Sequence, residues 1–84
     1  MKRVINGKMY NTATATEVIS KLYEGVGTWT NLYRKNNGEF FYANFTQWEG
    51  RSDEIEPISE AEAKNVIGNY DGDLYTELFG EPEE

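Results

Sequence analysis

The sequence predicts a small α+β fold, an antiparallel sheet of four or five strands packed with one amphipathic helix and closed by a C-terminal helical segment. Three observations point there. Two Asn-Gly dipeptides, Asn6-Gly7 and Asn37-Gly38, sit between strand-like runs; Thr14-Ala15-Thr16-Glu17 precedes an apolar stripe; and Ser59-Glu60-Ala61-Glu62 opens a second helical pattern near the C-terminus. Eighty-four residues provide material for one core. Residues 1–80 are expected to form a single domain and 81–84 a frayed acidic tail.

Val4 to Tyr10 reads as a tight hairpin, because Asn-Gly supplies the two positive-φ residues that a type I′ turn requires. With Asn6-Gly7 at the turn, Val4 faces Met9 and Arg3 faces Tyr10, and Val4 and Met9 are the expected inward pair. Thr14 to Glu17 has the form of a capping box, in which hydroxyl and carboxylate each take an orphan amide. Ala15, Val18, Ile19, Leu22 and Tyr23 follow at helical spacing, so a helix is expected up to a left-handed cap at Gly25.

Thr28–Lys35 and Glu39–Trp48 are rich in aromatic and β-branched residues and read as a second hairpin around Asn36-Asn37-Gly38. A turn at Asn37-Gly38 places Leu32, Phe41, Ala43 and Phe45 on one face. Asn31, Tyr33, Phe40, Tyr42 and Asn44 then share the other. Glu54 to Ile58 alternates and suits a short edge strand, where Pro57 does no harm. The Ser59 box opens a helix with Ala63, Val66, Ile67 and Tyr70 inward, expected to stop near Gly68-Asn69. Asp71 caps a last helical turn anchored by Leu74, Leu78 and Phe79 and ended by Gly80.

Composition narrows the function. The chain has neither cysteine nor histidine, which removes thiol chemistry, thiolate metal sites and the commonest general base. A small chain without disulfides fits the cytoplasm. The N-terminus lacks the apolar run of a signal peptide, no stretch approaches a membrane span, and the Asn44-Phe45-Thr46 sequon is read as coincidence. The net charge of −7 is divided unevenly: residues 1–35 carry +4 and residues 36–84 carry −11. No basic stripe exists to neutralise phosphates, so direct nucleic-acid binding is disfavoured. The acidic half serves either solubility or contact with a basic protein surface.

Most chemical signatures fail at their second requirement. Glu17, Glu60 and Glu62 stand in expected first helical turns, where the helix dipole explains them. Asp71-Gly72-Asp73 with Glu77 matches a calcium loop only in its opening residues, and a turn followed by an Asp N-cap accounts for it. No metal, cofactor or catalytic residue is expected. The remaining feature is the aromatic group Trp29, Tyr33, Phe40, Tyr42 and Trp48, either a second core layer beneath the C-terminal helices or a partly exposed binding patch. Tyr33, Tyr42 and Trp48, with the acids Glu49, Asp53, Glu54 and Glu56, are the candidate partner-binding residues.

Several segments recur together in one group of proteins: Ile5-Asn6-Gly7-Lys8-Met9-Tyr10-Asn11-Thr12, then Thr14-Ala15; Leu32-Tyr33-Arg34-Lys35 with Asn37-Gly38 and Phe40-Phe41; Ile58 to Lys64; and Leu78-Phe79-Gly80-Glu81. Together they resemble small acidic proteins encoded by phages, plasmids and other mobile elements of Gram-positive bacteria. Many of those carry a glycine-rich segment where this chain has the shorter Asn44–Asp53 with Trp48. The resemblance implies a non-enzymatic inhibitor of a host defence protein, of the anti-CRISPR or anti-restriction kind, acting in the host cytoplasm on a larger partner with a basic surface. The alternative is a small-molecule or nucleotide-sequestering module, which would need a pocket joining Arg34, Lys35 or Arg51 to a stacking aromatic.

Overall fold

A computed structural model describes residues 1–83; Glu84 of the acidic tail lies outside the described residues. The chain is an α+β fold with two antiparallel sheets and two helices. Strands β1 (Lys2–Ile5) and β2 (Lys8–Asn11) form a separate hairpin. Strands β3 (Thr16–Gly25), β4 (Thr28–Arg34), β5 (Phe40–Thr46) and β6 (Glu54–Ile58) form a four-stranded meander in that order, followed by helices α1 (Glu60–Tyr70) and α2 (Gly72–Phe79). The helices cover one face of the meander and the β1–β2 hairpin covers the other, giving two small cores on either side of one sheet.

The largest departure from the sequence expectation is residues 14–25. Thr16–Gly25 is a strand, the outer neighbour of β4, rather than a helix. Its register explains why it mimicked one. Glu17 pairs with Tyr33 and Ile19 with Leu32, so β3 spends an extra residue; Ile19 to Tyr23 then spans only Leu32 to Thr30, a second irregularity. Each bulge resets the alternation, and residues at spacings of three and four reach the helix-covered face. Ile19 is buried there with Val18 and Leu22 packed against it. Lys21, at φ 53°, takes the left-handed conformation within the second bulge. The Thr14 hydroxyl points back to the Asn11 carbonyl in a turn instead of capping a helix. The β-branched Thr16, Val18 and Ile19 suit the strand, and β4, with Asn31, Leu32 and Tyr33 buried, needs a partner on that side.

The Asn6-Gly7 turn forms as expected, with φ 50° and 77° and Val4 opposite Met9. Its buried face is the other one. Val4 is 65% and Met9 44% exposed, whereas Tyr10 is buried. The tyrosine ring offers far more area to bury, and it meets Phe41 edge-on at 5.5 Å while the Lys35 ammonium lies 4.1 Å from its centroid.

The second hairpin is shifted by one residue. Arg34 faces Phe40 and Leu32 faces Tyr42, because the connection runs through Asn36-Asn37-Gly38 with Gly38 at φ 92°. Gly38 N–H donates to the Lys35 carbonyl and the Asn37 side chain accepts from Glu39 N–H, closing a turn with a left-handed third residue. One residue of slip exchanges faces between strands. Leu32, Phe40 and Tyr42 therefore lie under the helices, and Tyr33, Phe41, Ala43 and Phe45 under the hairpin. Phe40, Phe41, Leu32 and Ile67 are fully buried, each stabilising the fold by roughly 1.5–3 kcal/mol relative to exposure.

β6 is an edge strand, with Pro57 opposite Phe41. Ser59 Oγ accepts from Glu62 N–H at 3.1 Å and starts α1. The helix runs through Gly68-Asn69 to Tyr70, which faces solvent rather than the core; Ala63 and Ile67 are the buried pair. Asp71 closes α1, donating its N–H to Ile67, and its carboxylate accepts from Asp73 and Leu74 N–H to open α2. The Asp71 carboxylate thus has a structural role in the segment that resembles a calcium loop.

Candidate functional site

The expected aromatic group does not exist as one surface. Phe40 and Tyr42 belong to the core under the helices, Tyr33 stacks on Phe41 under the hairpin, and Trp29 stacks on Phe45 on that same face. Tyr33 and Tyr42 are 8% and 7% exposed, on opposite faces of the sheet, which corrects their placement on a docking patch. Burial, together with Tyr23 and the carboxylates of Glu62 and Glu56, pushes the Tyr42 phenol up to about 12. Tyr42 therefore stays neutral across the physiological range.

Trp48 differs from the others. It is 47% exposed, yet held: its indole Nε1 donates to the Val26 carbonyl at 2.6 Å and its backbone N–H to Thr46 Oγ1. Gly27, at φ 71°, leaves room for the indole; a Cβ there would come within 2.7 Å of Nε1. Neighbouring Val26 is itself exposed at the β3–β4 turn. Gly25, expected to cap a helix, instead ends β3, and Val26 and Gly27 after it position Trp48.

The candidate acids divide by role. Asp53 is a strut rather than a free carboxylate: its Oδ1 accepts from Thr46 N–H at 2.9 Å and its carbonyl from Arg3 Nη2 at 3.2 Å. Glu49, Glu54 and Glu56 are exposed. The alternation of β6 puts Glu54 and Glu56 opposite Asn44 and Tyr42, on the helix-covered side, while Ile55 packs into the opposite core. Glu62, near enough to Tyr42 to act on its phenol, extends this group onto α1. Among the described residues, none of Glu49, Glu54, Glu56 and Glu62 forms an ion pair; the pairs present use Glu39 and Glu60.

Most basic residues of the N-terminal part are engaged. Lys8 and Lys35 both bind Glu39, at 2.7 and 2.9 Å, and Asn37 donates to it as well. These contacts hold the Glu39 carboxyl down at about 2 and tie the β1–β2 hairpin to the β4–β5 turn. Arg34 lies over the Phe40 ring. Among the described residues, Arg51 has no such partner. It lines an open groove of about 550 Å³ together with Thr28, Thr30, Asn44, Thr46 and Glu54. Trp29 and Phe45 also border it, but their rings stack on each other on the opposite face.

Among the described residues, no group of three or more acidic side chains is gathered as a metal site, and no helix is long and apolar enough to cross a membrane. No protein-family model, curated protein or solved structure matches the chain.

Proposed function

We propose that this chain is a non-enzymatic protein-binding inhibitor from a phage or mobile element, docking on a basic surface of a larger host defence protein in the cytoplasm. One observation carries the docking surface: a half-exposed, hydrogen-bonded tryptophan next in sequence to exposed Glu49, on a surface that also carries exposed glutamates on β6 and at the start of α1, none of them ion-paired among the described residues except Glu60, which pairs with Lys64. A rigid Trp provides contact area at low entropic cost, and interface anchors are enriched in this residue. Carboxylates without internal partners give up little when they meet lysines or arginines, and they steer encounter with a positive surface. The defence-protein target rests on the resemblance to small acidic proteins of mobile elements.

The test is affinity capture from lysate of a Gram-positive host, followed by binding kinetics with the protein recovered. Trp48→Ala is expected to raise the dissociation rate, and combined Glu49→Lys, Glu54→Lys and Glu56→Lys to slow association, with the charge effect fading at high salt. Kinetics indifferent to salt and to both sets of changes would remove this surface from consideration.

A further inference from the structure

The helices do not cover the whole face of the sheet they pack on. Beyond Leu32 and Tyr42, Thr28 and Thr30 of β4 stand opposite Thr46 and Asn44 of β5, and the Thr30 hydroxyl donates to Asn44 Oδ1 at 2.6 Å. These four side chains floor the groove; Arg51 stands in its loop wall and Glu54 on its β6 side. We propose that the groove binds a dipeptide-sized zwitterion, its carboxylate held by Arg51 and its ammonium by Glu54.

Size, charge and rigidity argue for this ligand. About 550 Å³ falls within the range of small-molecule sites, ~300–1,000 Å³. Two charged groups of opposite sign line the same space, yet among the described residues neither is paired with the other or with any third group. At the β4–β5 turn, by contrast, opposite charges that share a space do meet, at Lys8, Glu39 and Lys35. A ligand bearing both signs satisfies both at once. The hydroxyl and amide floor is uncharged and offers donors and acceptors along the ligand's length.

A polyphosphate would meet one cation and a carboxylate. A nucleobase would find the Trp29 and Phe45 rings turned to the other face. The wall carrying Arg51 is preformed, since the loop is held by Thr46 N–H to Asp53, Gln47 N–H to the Gly27 carbonyl and the Trp48 indole to Val26. Binding therefore need not order the segment first.

The experiment is a titration of the ¹⁵N-labelled chain with glycylglycine, N-acetylglycylglycine and glycylglycinamide, read by amide shifts. Glycylglycine is expected to give saturable shifts at Thr28, Thr30, Asn44, Thr46 and residues 50–52. Each capped peptide should bind at least ~10-fold more weakly, as loss of a charge-assisted hydrogen bond implies. Arg51→Gln should abolish discrimination against the amide, and Glu54→Gln discrimination against the acetylated form, with the rest of the spectrum unchanged. Absence of saturation with glycylglycine, or equal binding of the capped peptides, would overturn the proposal. No protein partner enters this experiment, so its outcome is separate from that of the docking surface.

Discussion

Replacing Asn31 by alanine tests the irregular strand at the point where the sheet depends on one side chain. Asn31 is a buried polar residue on central strand β4. Its Oδ1 accepts from Lys21 N–H at 2.8 Å and its Nδ2 donates to Glu17 Oε1 at 2.9 Å. The bulges displace the ordinary ladder there, and the Asn31 amide stands in for it. Removing it leaves a part-buried Lys21 N–H without its acceptor, at a cost of roughly 1–3 kcal/mol. With a urea slope of about 1–2 kcal/mol/M for a domain of this size, the midpoint should fall by on the order of 1–2 M. Exchange of the Lys21 amide should accelerate with it. Asn31→Asp keeps the acceptor but sets a second carboxylate against Glu17, so it should destabilise too; adding Glu17→Gln restores a donor and should recover part of the loss. A midpoint unchanged by Asn31→Ala, or no recovery in the double variant, would refute this account of the bulge.

Other outcomes follow from single contacts. Phe41→Ala, at the centre of the hairpin-side core, should cost roughly 3–5 kcal/mol in urea unfolding, whereas Leu22→Ala, on a half-buried position, should cost less than Leu32→Ala. Glu39 has a folded value lowered from 4.5 to about 2, so its stabilising contribution is present above pH 4.5 and lost as pH falls toward 2. Thermal melts from pH 6 to 2 should show that loss in the parent chain and a smaller one in Glu39→Gln. Gly27→Ala should displace the Trp48 indole, changing its fluorescence, and strain the left-handed backbone by roughly 1–2 kcal/mol.

Local chemistry made much of the fold readable. Asn6-Gly7, the Ser59 box and Asp71 each act through atoms within a few residues, and each forms the turn or cap its sequence announces. The errors came where distant partners decide. Ala15, Val18, Ile19, Leu22 and Tyr23 have a helix's spacing, but β4 required a neighbour and two bulges reconciled that spacing with a strand. The face of the β1–β2 hairpin was chosen by Tyr10 finding Phe41, some thirty residues on. A one-residue difference in loop length at Gly38 put Leu32 on the face of Phe40 and Tyr42, and Tyr33 on the face of Phe41. The acidic surface was legible in Glu49, Glu54 and Glu56, which are exposed; Tyr33, Tyr42 and Asp53 had structural duties that composition does not reveal. The role of Val26 and Gly27 in fixing Trp48 depends on a contact across 22 positions.

Pro57 and the bulges of β3 share a consequence for how the molecule meets others. Pro57 of β6 has no N–H, and on an edge strand the position of that missing donor faces the open border; on the other border, Lys21 turns out of extended geometry. Neither margin offers an incoming chain an unbroken row of amides and carbonyls, so stacking of copies into ribbons is obstructed from both sides. Recognition is thereby left to side chains. Its selectivity can then change one substitution at a time, without disturbing the backbone pattern that holds the sheet together.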